Sequence, residues 1–218
     1  MALTPIHINH DLRYHAPDTY DVFFYGDIVI TTVTADPSAV SRWISDVRSV
    51  RGSGPPDLLA GLDVEWRPSP TRYRQSPVAT LQICVGQRCL VYQIARSGGH
   101  VPQSLEEFLA GGDYAFVGVG VQQDLDRLDA DYGIGGRARA VDLRKLAAEE
   151  LGQEELEAAS LRELSSLVLG KEIDKPRHVT MSNWECRWLS HAQVQYACVD
   201  AYVSSEIGRA LNADGKSK

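Results

Sequence analysis

Residues 58–66 read LLAGLDVEW, an apolar run broken by acids at Asp63 and Glu65. Four apolar residues and a glycine before the first acid mark a strand buried at the centre of a sheet. Side chains alternate along a strand, so Asp63 and Glu65 share one face and Val64 takes the other. Two carboxylates on one face of a buried strand repel each other. A cation between them removes the repulsion and lets both stay ionised. The competing reading, two solvated acids on a surface strand, conflicts with the flanking LLAGL.

Outward from that strand the pattern is α/β. PVATLQICV (77–85) and RCLVYQI (88–94) form a hairpin across Gly86-Gln87. SLEEFLAG (104–111) reads as a helix with a capping box from Ser104 to Glu107. YAFVGVGV (114–121) is another apolar strand, and QQDLDRLDADY (122–132) a helix. VDLRKLAAEEL (141–151) and SLRELSSLVLG (160–170) read as two more helices. Ser190 opens a long last helix, with Gln193 completing a capping box. Toward the N-terminus, YDVFFYGDIVITTVTAD (20–36) reads as two strands around a turn at Tyr25-Gly26-Asp27. Asp36 as N-cap and Pro37 at the first position open a helix whose inner face is Val40, Trp43, Ile44 and Val47. RGSGPPD (51–57) is linker-like. The expected organisation is an N-terminal hairpin and helix over 1–57, a main domain over 58–212 and a tail over 213–218. Residues 20–212 then form one compact body. Strand-strand-strand-helix-strand-helix implies a mixed sheet flanked by helices.

Further acids fall where this order brings chain segments together. Asp124 follows the strand AFVGVGV and sits in the first turn of a helix whose core face is Leu125, Leu128 and Tyr132. By itself it is a helix-start acid favoured by the macrodipole. Gly118 and Gly120 match the start of a dinucleotide GxGxxG fingerprint, but Gln123 stands at the third position and fails it. Tyr196 and Asp200 are four apart on the last helix and stack on one face. That helix is apolar on most sides, so Asp200 needs a partner: a metal, or an arginine such as Arg209. Four carboxylates and one phenol suit a site holding two hard cations about 3.5–4 Å apart.

Composition narrows the partners. The 218 residues carry 22 basic and 29 acidic side chains, a net charge of −7. A protein gripping long duplex through its phosphates would be basic. Cys84, Cys89, Cys186 and Cys198 show neither CxxC nor zinc spacing. Cys84 and Cys89 can face each other across the hairpin, but free buried thiols are the reading adopted. MALTPIHINH lacks the features of a secretory signal, and no apolar run approaches membrane-spanning length. A cytoplasmic location, or a nuclear one, is expected. His7, His10 and His15 near the start have ligand-like spacing but little periodicity around them.

GLDVEW, VGVGVQQD and YACVD resemble the three exonuclease motifs of the DEDDy branch of the DnaQ-like 3′–5′ exonucleases. Gln195 stands five residues before Asp200, so the histidine variant does not fit. Gly120 and the string Ser182-Asn183-Trp184 resemble the Werner-type subgroup. The likeness covers roughly residues 58–212, and the segment around YDVFFYGD and SAVSRW resembles the plant RISC-interacting clearing exoribonucleases. The resemblance implies a ribonuclease H-like fold and metal-dependent hydrolysis of single-stranded RNA; the alternatives are a Werner-like DNA exonuclease and a catalytically silent nucleic-acid-binding adaptor, the latter disfavoured by the intact acid set with Tyr196. It also implies a ring-like homo-oligomer and a link to Argonaute. Two Mg²⁺ or Mn²⁺ ions would sit per site, one on Asp63, Glu65 and Asp200, one on Asp63 and Asp124. Tyr196 would orient the attacking water, and the backbone around Val64 and Trp66 would cradle the terminal nucleotide. One departure stands out: Asp126 replaces the aromatic that the Werner enzyme carries two residues after the second-motif acid. Arg72, Tyr73 and Arg74 are candidates for an access groove, and Arg177 with His178 for phosphate contact. Trp184 and Trp188 read as packing anchors.

Overall fold

The structure is a computed structural model that describes residues 6–9, 18–50, 58–69 and 75–211. The linker 51–57, the tail 213–218, the loop carrying Arg72, Tyr73 and Arg74, and His10 and His15 lie outside the described residues, as does the His7 side chain. An eight-stranded mixed sheet runs through the molecule in the order β1-β2-β3-β6-β5-β4-β7-β8. The strands are β1 (Ile6–Asn9), β2 (Thr19–Phe24), β3 (Asp27–Thr34), β4 (Leu58–Trp66), β5 (Val78–Val85), β6 (Arg88–Tyr92), β7 (Tyr114–Gly118) and β8 (Arg139–Asp142).

Pairing follows from the turns. Tyr25 and Gly26 both take positive φ, +47° and +93°, so Phe24 pairs directly with Asp27 in the β2–β3 hairpin. Cys84 and Cys89 are cross-strand partners in the β5–β6 hairpin, and both stay free thiols. Cys186 is only part-buried, unlike the other three cysteines. The N-terminal hairpin is no appendage: β3 pairs in parallel with β6 and extends the main sheet.

Helices cover both faces. On one lie α1 (Pro37–Val50), α2 (Gln103–Ala110) and α3 (Val121–Tyr132), which bury Val40, Trp43, Ile44, Leu105, Phe108, Leu125 and Leu128 against the sheet. On the other lie α4 (Leu143–Leu151), α5 (Leu161–Leu164), α6 (Arg177–Thr180) and the long α7 (His191–Ala210). The Asp36 cap holds, its carboxylate accepting from Ser38 N–H at 2.9 Å. The Ser190–Gln193 capping box at α7 is also present.

Three local expectations need correction. The α2 helix starts at Gln103 with Pro102 as N-cap, so Ser104 lies inside the first turn and makes no box. Its hydroxyl instead meets that of Ser41 on α1 at 2.8 Å. Residues 139–142 form β8 before α4 begins, because Val141 and Asp142 pair with the buried β7. Residues 160–170 are not one helix: α5 passes into a π-helical turn, Ser165–Leu169, that ends at left-handed Gly170.

The placement of α7 rests on small residues. A Cβ on Gly61 would lie 1.8 Å from the Ala201 carbonyl oxygen, and one on Gly208 would press on Val117 at 3.2 Å. The helix therefore touches β4 through backbone, which brings residue 200 level with residue 63. Because the obstructing atom is backbone, no rotamer change relieves it. Gly61→Ala is expected to destabilise the chain by about 3 kcal/mol or more, the upper end of overpacking. Urea unfolding measures this, and a loss below about 1 kcal/mol would show that the contact is not constraining.

Candidate active site

Strands β3, β4, β6 and β7 all run one way, so their carboxyl ends lie along one edge of the sheet. The expected site residues gather there. Asp63 and Glu65 are near the end of β4, Asp124 in the first turn of α3 just past β7, and Tyr196 and Asp200 in the first half of α7. Val64, between the two acids, is 2% exposed and points into the opposite core. Gly120 turns the chain from β7 into α3 in a left-handed conformation, φ +75°. Its N–H donates to the Asp142 carboxylate at 3.3 Å, which ties the start of α3 to the end of β8. Arg144 holds that same carboxylate at 2.6 Å, so Asp142 is a fixed support and not a free acid.

The four acids feel one another strongly. Burial, and then the charge of Asp200, push Asp63 up to about 7. Burial and the neighbouring Asp63 and Asp200 charges push Glu65 up to about 10. Asp124 goes up to about 8 through burial and the Asp63 charge. Asp200 is also raised by burial, although Lys175 and the Tyr196 hydroxyl draw it down. Burial, together with the surrounding carboxylates, pushes the Tyr196 phenol far above its ordinary value. That phenol therefore keeps its proton and acts as a donor, not as a base.

One residue of the cluster was not foreseen. Lys175, in the loop before α6, places its ammonium 2.6 Å from the Asp200 carboxylate and 5.4 Å from the Tyr196 ring centre. About a third of its side chain is exposed, and its ammonium sits on the Asp200 carboxylate. Burial works against its charge, but Asp200 and Asp63 more than offset this and hold it protonated. Arg209, the sequence candidate for partnering Asp200, pairs with Glu206 at 2.7 Å instead. Only the DKPRH string hinted at Lys175, and that reading singled out Arg177 and His178, which stand exposed on α6.

Four hard oxygen-donor side chains outnumber a single ammonium, so they hold protons more tightly than ordinary carboxyls, and a divalent cation could take the place of those protons. That donor set suits Mg²⁺ or Mn²⁺, which take oxygen ligands. As the side chains stand, no three His, Cys, Asp or Glu among the described residues are grouped tightly enough to hold a metal ion. Asp63, Glu65, Asp124 and Asp200 are the residues that would hold such a cation.

Around the acids, Trp66 is half-buried, packs against the core shared with α3, and carries the Arg127 guanidinium 3.7 Å over its ring. Trp184 is fully buried and packs on Tyr196 at 6.0 Å between ring centres, as a packing anchor should. Trp188 is no anchor: it is 71% exposed. Asp126 lies on the outer face of α3, accepting from Gln122 at 2.8 Å.

A cluster of carboxylates at the strand ends of a mixed sheet, crossed by a helix that carries the last acid, is the architecture of a phosphodiester-cleaving nuclease. The sequence matches the 3′–5′ exonuclease family over residues 32–216, and the chain belongs to that DnaQ-like family. It is 37% identical over 158 residues to a 3′–5′ exonuclease of Arabidopsis thaliana, a match covering 70% of this chain and 52% of that protein. It is 33% identical over 189 residues to the bifunctional 3′–5′ exonuclease/ATP-dependent helicase WRN of Mus musculus, covering 86% of this chain and 13% of that protein. The chain thus spans about half the length of the first relative and a small part of the second. Among solved structures, Escherichia coli RNase D, an exoribonuclease, shares the fold: TM-score 0.66, 17% identity, 84% of this chain and 44% of that one. The mixed sheet flanked by helices is therefore the ribonuclease H-like fold anticipated from the motifs.

Two outcomes follow from the electrostatics. The folded carboxyls titrate above the ordinary carboxylate range, so the folded chain binds more protons than the unfolded chain from about pH 4 upward. Stability therefore falls as pH rises through the values near 7 and 8 of Asp63 and Asp124. Without divalent cations, Tm should be higher near pH 5 than near pH 8, and Asp63→Asn or added Mn²⁺ should shrink the difference. A Tm that climbs between these pH values would contradict the cluster. The second outcome concerns Lys175→Met. Removing the one ammonium should lower Tm in the absence of divalent cations. It should also tighten Mn²⁺ binding at least about tenfold, a modest share of one charge–charge interaction at this range. Calorimetric titration that finds weaker Mn²⁺ binding would show that Lys175 supports the cation and does not compete with it.

Proposed function

We propose that this chain is a 3′–5′ exonuclease that hydrolyses single-stranded RNA from the 3′ end to nucleoside 5′-monophosphates, using Mg²⁺ or Mn²⁺. The observation that carries this is the convergence of Asp63, Glu65, Asp124 and Asp200 from three elements beneath a phenol that keeps its proton. Asp63, Glu65 and Asp200 would hold one cation, and Asp63 with Asp124 another. When bound, such a pair activates a water and stabilises a leaving oxygen.

The chain's own groups do the rest. Tyr196 donates its hydroxyl proton to a hydrogen bond, and its ring is held by Trp184, so it orients the attacking water. The β4 backbone at Val64, with Trp66 beside it, receives the terminal nucleotide. Lys175 supplies a positive charge where the phosphate arrives. The net charge of −7 and the polar Asp126 favour a short single strand over long duplex. A homo-oligomer, ring-like by resemblance, and service to Argonaute-linked RNA clearance belong to the same reading. Tyr25 and Ile28 at the tip of the β2–β3 hairpin, 39% and 44% exposed, are apolar surface available to a second copy.

Tyr196→Phe keeps the ring and removes one hydrogen bond. It should slow turnover by about ten- to a hundredfold, somewhat beyond an ordinary neutral hydrogen bond. Mn²⁺ affinity should stay near that of the unaltered chain. Single-stranded RNA and 3′-recessed DNA digested side by side test the substrate; equal or faster cleavage of the DNA would overturn the RNA assignment.

A further inference from the structure

Trp188 is the largest exposed apolar side chain of the described residues, yet the loop that carries it is held at many points. Trp184 is buried under Tyr196. The Gln193 amide donates to Ser182 Oγ at 2.9 Å and to the Asn183 carbonyl at 3.2 Å. Glu185 pairs with Arg67, at the end of β4, at 3.7 Å. Gln93 donates to the Cys186 carbonyl at 2.9 Å. A rigid loop that presents an indole to water loses little entropy when a planar ligand stacks on it.

Trp188 forms one wall of a cavity of about 240 Å³ with Tyr20, Thr34, Gln93, Arg96 and Arg187. The Arg187 guanidinium lies 5.3 Å from the centre of the Trp188 ring. Asp18 and Asp36 also line the cavity, and Asp36 already caps α1. All four charged groups are exposed, and Arg96 and Arg187 are the ones that a phosphate would meet. The volume suits one nucleobase.

Its position links it to the carboxylates. Glu65 pairs with Thr80, and Leu81 with Tyr92, so Gln93 comes next after Thr80 along one row of the same sheet face. The cavity thus opens on the same edge and face as the acids. The cavity runs from Gln93 at the end of β6, two places from β4, to Tyr20 of β2, four places away, about 10 to 20 Å at ordinary strand spacing. A few linked nucleotides span that distance.

We propose that this cavity is a base-binding subsite for the strand whose 3′ end lies at the carboxylates. An upstream base stacks on Trp188, and its flanking phosphate meets Arg96 and Arg187. This rests on the exonuclease reading for the direction of the strand, but the binding itself does not require cleavage.

The test is fluorescence anisotropy with labelled single-stranded oligoribonucleotides of two and six nucleotides, on chains that also carry Asp63→Asn to prevent hydrolysis. Trp188→Ala should weaken hexanucleotide binding at least about tenfold more than dinucleotide binding, within what one stacked base contributes. Trp188→Phe should recover most of that difference. Arg96→Ala should weaken the hexanucleotide and flatten its salt dependence. Equal effects of Trp188→Ala at both lengths, or none at either, would overturn the subsite. So would a drop in light-scattering mass in Trp188→Ala that accounts for the loss, since Trp188 would then be a contact between copies. If the unaltered chain binds with the expected length dependence but cleaves no 3′ end, the subsite stands and the exonuclease reading falls.

Discussion

The active-site geometry hangs on one close approach. A β4 residue with any side chain at position 61 would collide with the carbonyl of Ala201, so α7 can cross the sheet at backbone distance only over a glycine. That approach sets the depth of α7 and brings Asp200 within interacting range of Asp63. It also explains the composition of the helix. Ala197, Ala201, Ser204, Ser205 and Gly208 are small because the helix is buried along most of its length, with no room for bulk at the sheet. A helix packed through small residues gains less from hydrophobic area per residue, but it gains positional definition. Carboxylates that act on one another this closely need that definition.

The same closeness makes the site a source of instability. Four acids brought together in a buried setting raise one another's affinity for protons, and a single lysine offsets only part of that repulsion. The fold elsewhere must absorb the difference. It does so with two apolar layers, one on each face of an eight-stranded sheet. Repulsion of this kind is a free-energy reserve for function: a ligand carrying positive charge recovers on binding what the folded chain gave up in assembling the acids.

Legibility followed sequence distance. Asp63 with Glu65, and Tyr196 with Asp200, sit at the spacings that strands and helices place on one face, so the periodicity revealed them. Asp124 was legible only through the strand before it. Lys175 was not legible, because its role depends on a loop returning over α7, and no local pattern encodes that contact. The β8 strand was missed for a related reason. Arg139–Asp142 is short and runs directly into α4, and only pairing with the buried β7 makes it extended. Ser104 carried a genuine capping pattern, but Pro102 starts the helix first and frees the serine for Ser41. Two tryptophans four residues apart in one loop looked equivalent in sequence. Their burial differs because the fold turns Trp184 under Tyr196 and leaves Trp188 outside.

That last divergence bears on how the molecule meets a substrate. The loop between α6 and α7 supports Tyr196 from below through Trp184 and offers Trp188 to solvent. Its backbone is held from both sides, by Gln193 of α7 and by Gln93 beyond β6. A disturbance at one tryptophan therefore reaches the other through a stiff segment. A strand lying along the sheet edge would press on the loop at Trp188 and on the carboxylates at its end. Since Tyr196 packs on Trp184 of that loop, the proposed seating of a strand at Trp188 and the aim of the phenol would be linked through it. A flexible loop would separate the two; the hydrogen bonds on both flanks keep them joined.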